Sequence, residues 1–440
     1  MLSVAQKKIL IFFSFTIYLS YFFGFYFNEN SIGSGGYNGD LAWMLDNFKI
    51  FKNNSLIDSI FHEDFFGSRT PLLYVINTLF NPFLNDVYYY RLSVFLFSLV
   101  GPSIFYLCLK EKYKKTDKEI LLLISSIILL SPYYRTTAIW GLEINYGIIT
   151  MLISIYYIIK IENNKRYFSY DVVMLTFFSS LTIYFDQKLL FIPLLGLIKL
   201  LTVKRHLIYK FLSIGLFTIF SIPFIYLIMQ WGSITSPATV GVTPDVANSL
   251  EHLNLDFYNL GYATTIIGLY LLPLLIFLFD LSLDKFLIFI KSNFLKIFSF
   301  FFIYIFFFLF FDWYYLAQSK AGLYLDAKGS SFGLGFVNKF SFILFKDVFF
   351  RKVFLVLSFL FYWIVIYPFF NKKIKNILLI SFFYFMSLII TPLMQEYFDP
   401  YIFILALLCL DLKLKINFIN SIYVMIYYVA LLVSANIFYL

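Results

Sequence analysis

The chain is poor in charge: Asp, Glu, Lys and Arg make up 13% of its 440 residues, against roughly a quarter in soluble domains. Combined with 61% hydrophobic residues and a mean hydropathy of +0.82, that scarcity excludes a water-soluble globule. Cysteine is nearly missing as well. Cys108 and Cys409 both fall within apolar runs, which excludes a disulfide framework or a cysteine metal site. Histidine is equally sparse, so the pairing of His62 with Asp64 has no second histidine beside it and no metal site is expected. The alternation of apolar and polar residues that marks a membrane β-barrel is also missing, because the apolar runs are continuous. What remains is an all-α, polytopic transmembrane helical bundle in a single transmembrane domain over 1–440.

The apolar runs suggest about thirteen spans, each near the roughly 20 residues that a bilayer requires. They are placed at about 9–27, 90–109, 119–133, 141–160, 168–184, 188–203, 208–230, 261–280, 295–311, 353–370, 376–393, 400–412 and 417–438. The first reads as an uncleaved helix, since FFGFYFNEN has no small-x-small cleavage site. Lysine and arginine test the count. Lys7, Lys8, Lys110 to Lys118, Lys160, Lys199, Lys204, Lys285, Lys372 to Lys375, Lys413 and Lys415 fall into alternate loops, which places the N-terminus in the cytoplasm and the C-terminus outside. The net charge of +9 is thus topogenic, and no nucleic acid is expected as a partner.

Carboxylates gather on the outer side, where three segments are long enough to build a site: 28–89, 231–260 and 312–352. The first carries interfacial helices and the densest chemistry. Asp40 follows Gly33, Gly35, Gly36 and Gly39, while Leu41, Met44, Leu45, Phe48 and Phe51 recur at helical spacing, so Asp40 is expected at a helix N-cap. A carboxylate just above a bilayer also suits a general base, with Glu63 or Asp64 as a second carboxylate. Arg69 before Thr70-Pro71 suits a phosphate, although an interfacial arginine also snorkels.

Residues 10–160 resemble the GT-C integral-membrane glycosyltransferases, such as protein O-mannosyltransferases and lipid A aminoarabinose transferases. The likeness lies in the early loop aspartate Asp40, the element Pro71-Leu72-Leu73-Tyr74, Arg91 opening a helix, and Ser131 to Gly147. It implies a polyprenyl-phosphate-linked sugar donor, a glycolipid, glycan or protein acceptor among the membrane lipids, and Asp40 as the catalytic residue. It also implies donor phosphate contacts at Arg69, Arg135, Lys320 or Lys328 and substrate contacts at Tyr74, Glu143 and Glu396. The chain departs from the family pattern at Asp40-Leu41, at its single Pro71 and at Glu396-Tyr397, where family members often place an arginine. No cofactor is called for, and magnesium or manganese stays open. The alternative classes are a lipid-linked oligosaccharide polymerase or ligase, and a polysaccharide flippase or transporter.

Overall fold

A computed structural model describes residues 2–30, 37–67, 69–163, 170–202, 207–233, 236, 238, 259–310, 336–370, 373–389 and 395–439. All regular structure among them is helical. Helix α1 runs Val4–Tyr26, opened by a reciprocal capping box between Ser3 and Gln6. Three short helices follow: α2 (Tyr37–Asn53), α3 (Leu56–Ile60) and α4 (Leu72–Phe80). Then come α5 (Val87–Ser98) and its continuation α6 (Val100–Lys112), α7 (Lys118–Ser125), α8 (Pro132–Ile139), α9 (Ile144–Asn163), α10 (Tyr170–Phe185), α11 (Phe191–Thr202) and α12 (Leu207–Trp231). The last group is α13 (Asn259–Phe279), α14 (Leu283–Phe310), α15 (Phe336–Leu344), α16 (Val348–Ile366), α17 (Ile374–Ile389), α18 (Tyr401–Cys409) and α19 (Phe418–Tyr439).

Six helices are long and apolar enough to cross a membrane among the described residues, or seven if the bent pair Lys118–Leu130 and Pro132–Ile139 is one span. Several of the thirteen expected spans come out short, among them 168–184 and 376–393 with helices of 16 residues each, and two come out shorter still. Over 188–203 the regular helix is the 12-residue α11, and over 400–412 it is the nine-residue α18, whose side chains are all buried. At ~1.5 Å per residue, α18 covers about half of a bilayer core and serves as a packed interior helix instead. The bent pair has a local cause. A proline cannot continue a helix and disfavours the helical region for the residue before it, so Ser131 is extended (φ −64°, ψ 118°), Pro132 starts α8 and the axis turns by 66°.

Burial separates the helices into layers. The most apolar stretches of α9 and α13 are each 72% buried, whereas that of α12 is 17% buried and shows its apolar surface outward. Helix α9 packs against α6 and α10, and α13 against α16. Because α9 is 20 residues long, its ends lie about 30 Å apart, and it defines two ends of the molecule. Glu143 stands just before its first residue; Lys160 and Glu162 occupy its last turn.

Candidate active site

The site forms at the first end of α9, and the turn that leads into it depends on one glycine. Gly141 has φ +74°, and a Cβ there would meet the Tyr90 ring at 2.8 Å, while Tyr90 donates its hydroxyl to the Gly141 carbonyl at 2.7 Å. That turn delivers Glu143 beside Arg69. The Arg69 loop is itself pinned from two sides. Asn47 of α2 donates to the Phe66 carbonyl (2.7 Å) and to the Tyr74 hydroxyl (3.0 Å), and accepts from the Phe66 N–H. Ser236 accepts from the Gly67 N–H and donates to the Phe65 carbonyl. Thr70 bonds to the Tyr184 carbonyl, tying the loop to the end of α10.

Arg69 Nη1 donates to Glu143 Oε1, and its Nε lies 4.0 Å from Asp186 Oδ1. Asp186 is 1% exposed; it accepts from the Lys188 backbone N–H (3.1 Å) and faces the Tyr401 hydroxyl at 3.5 Å. Burial opposes the Arg69 charge, but the neighbouring carboxylates Glu143 and Asp186 outweigh it and hold the guanidinium above its ordinary pKa. Lys188 places its ammonium 4.0 Å from the centre of the Tyr397 ring. Nearby, burial pushes the Asp399 carboxyl up to about 7, against hydrogen bonds from Ser131, Tyr270 and the Tyr133 backbone.

Asp40 is not the N-cap. Helix α2 begins three residues earlier, at Tyr37, where Asn30 accepts from the Tyr37 N–H (2.8 Å) and Asn38 from the Gly39 N–H (3.0 Å). Those side chains serve the opening N–H groups and leave Asp40 inside the first turn, half-buried. Tyr74 is a buried phenol: burial first and the Glu143 charge next push its pKa up, against the Asn47 hydrogen bond and the Arg69 charge, with Asp40 adding the least.

Arg135, expected at a phosphate, is committed elsewhere. It is 1% exposed and gives all five N–H donors to the protein: Nε and Nη2 to Glu29, Nη1 to the Ser20 hydroxyl and the Leu129 carbonyl, and Nη2 again to the Ser20 carbonyl. It has no donor to offer a ligand. Glu63 and Asp64 are exposed in the loop after α3, where the Asp64 N–H meets His62 Nδ1, and no described contact joins them to Arg69. Lys320 and Lys328 lie outside the described residues, as does the side chain of Glu396. Among the described residues, no group of three His, Cys, Asp or Glu side chains could hold a metal ion.

Asp186, Tyr401 and Asp399 join the site without standing out in the sequence. The available signal is the polar D-Q-K turn between two apolar helices and the D-P before α18. No family model matches the chain, and no curated protein matches it.

Proposed function

We propose that the protein is an integral-membrane glycosyltransferase that moves a sugar from a polyprenyl-phosphate donor to a glycolipid, glycan or protein acceptor on the extracytoplasmic face. The observation that carries this reading is the partly buried Arg69, held charged between Glu143 and Asp186, with Asp40 as a separate carboxylate whose charge is felt at the same Tyr74 phenol. A fixed cation beside a separate carboxylate is what displacement of a phosphate from an anomeric carbon demands. In the proposed step, Asp40 takes the proton of the acceptor hydroxyl, whose oxygen bonds to the anomeric carbon. The carbon–oxygen bond to phosphate breaks, and its electron pair leaves on the polyprenyl phosphate, whose charge Arg69 holds.

The lysine-rich end of the bundle faces the cytoplasm in this reading, following the positive-inside rule. A cysteine introduced at Ser34 should then react with an impermeant reagent in intact cells while one at Thr116 stays unlabelled; the reverse pattern moves the site to the wrong side for the proposed donor.

The deciding experiment incubates the purified protein in detergent with radiolabelled polyprenyl-phosphate sugars, with and without magnesium or manganese, and follows donor hydrolysis and transfer. Release of sugar that depends on Asp40 and Arg69 supports the reading. Export of a lipid-linked glycan from proteoliposomes without cleavage would replace it with transport.

A further inference from the structure

The Arg69–Glu143 pair has unused hydrogen-bonding capacity on both sides, and the two sides are of opposite kind. Of the five guanidinium N–H donors, one goes to Glu143 Oε1, and Arg69 makes no other hydrogen bond among the described residues; Asp186 at 4.0 Å is an ionic neighbour beyond bonding distance. Glu143 is 9% exposed, and its Oε2 is buried with no hydrogen-bond partner among the described residues. The other buried arginine pair is closed by contrast, since Glu29 uses both carboxylate oxygens on Arg135. A buried carboxylate oxygen without a donor is costly, and folded proteins keep one where something else supplies the donor. The pair is reachable from outside, because the Arg69 and Glu143 side chains are 19% and 12% exposed.

A ligand that satisfies both groups accepts from Arg69 with an anionic group and, one side chain away, donates a hydroxyl to Glu143. On the glycosyl-transfer reading, which this requires, the anion is the phosphate on the anomeric carbon, and the hydroxyl next to it is on C2 of the same sugar. We infer that Glu143 is a specificity-determining residue that reads the C2 hydroxyl of the donor sugar. Its Oε1 stays on Arg69 while Oε2 takes the hydroxyl, so one carboxylate sets the spacing between the phosphate and sugar contacts. A donor without that hydroxyl leaves Oε2 buried and unpaired, and the site rejects it.

The test measures dissociation constants of the purified full-length protein for a polyprenyl-phosphate hexose and for its 2-deoxy counterpart, by competition against a labelled donor. Binding is the readout because the 2-deoxy sugar is intrinsically more reactive at the anomeric carbon. The expected wild-type preference for the hydroxylated donor is about 10- to 100-fold. In Glu143→Ala the ratio should fall to near one. Glu143→Gln, which preserves the shape and an acceptor for Arg69, should reduce it at least several-fold and carries the test alone if the alanine variant does not fold. An undiminished ratio in the glutamine variant, or equal binding of both donors by the wild type, overturns the inference while leaving glycosyl transfer standing. Binding of neither donor overturns the glycosyl-transfer reading and the inference with it.

Discussion

The two ends of α9 both carry ion pairs, and the most buried of them lie at the arginine end while the most exposed lie at the lysine end. At one end, Arg135–Glu29 and Arg69–Glu143 sit with side-chain exposures of 1%/16% and 19%/12%; at the other, the pairs run from Lys199–Glu162 at 22%/33%, partly covered, to Lys373–Asp411 and Lys114–Glu111 at 54%/55% and 61%/27%. Charges in water lose little when separated, whereas charges inside protein must be fully partnered or serve a purpose that outweighs the desolvation. The arginine end then divides again. Arg135 spends every donor on the fold, and Arg69 keeps four of its five uncommitted among the described residues. Full satisfaction marks Arg135–Glu29 as a structural ion pair, and partial satisfaction at Arg69 is what the proposed site rests on.

The comparison breaks most visibly at Arg135. Arg135→Ala leaves Glu29 and two backbone carbonyls without their partner, at a cost of about 3–5 kcal/mol, a large share of a typical total of about 5–15 kcal/mol. Loss of folded protein in size-exclusion and melting measurements is expected, and Arg135→Lys should not rescue it, because three donors cannot replace five. Normal melting with lost donor binding would return Arg135 to the phosphate.

Asp40→Asn comes next. Removing a positioned base lowers the rate by about 10²- to 10⁴-fold, and because Asn30 and Asn38 serve the start of α2, melting should stay within about 1 kcal/mol of the wild type. Asp46→Asn, an exposed neighbour paired with Lys49, is the control and should keep its activity. Unchanged turnover in Asp40→Asn would shift the base to another carboxylate.

How much of this was legible in the sequence follows from the range of each interaction. Membrane helices are written locally as apolar runs, so α1, α9, α12 and α13 are readable directly. The bend at Ser131-Pro132 is also local, yet a hydropathy window averages across it, and the same window cannot tell the buried α18 from a span. Gly and Asp favour helix starts, so the sequence points to Asp40 as the cap; the competing asparagines at 30 and 38 act through contacts that composition does not reveal. Arg69 and Glu143 each carry a sequence signal, but their pairing spans 74 positions, and only the fold brings Asp186 to the same guanidinium.

Asp399 tests whether a buried carboxyl at the arginine end can do without a cation. Its hydrogen bonds come from Ser131, Tyr270 and a backbone N–H, and burial raises its pKa from 3.8 to about 7. Between those pH values the folded chain holds a proton that the unfolded chain has released, so this group's contribution to stability is fully present below pH 3.8 and is lost as pH rises through about 7. Asp399→Asn should flatten that decline in a melting series from pH 4 to 8. A wild-type curve that rises across the same window would mean that Asp399 is charged and paired.

The smallest effect belongs to the lysine end, and its smallness is the point. Lys373 hydrogen-bonds to Asp411 and holds that carboxyl below its ordinary value of 3.8, against burial, which acts the other way. A depressed carboxylate stabilises the fold above its unfolded pKa and loses that contribution as pH falls through the folded value, so nothing should change near neutrality. Both partners are more than half exposed, and water and salt screen such a pair to less than about 1 kcal/mol. Lys373→Ala should therefore lower stability by less than that amount, and raising the salt in the wild type should mimic part of it. A loss comparable to that of Arg135→Ala would show that Lys373 anchors the interior through its neighbours, and the distinction between the two ends would no longer follow from burial.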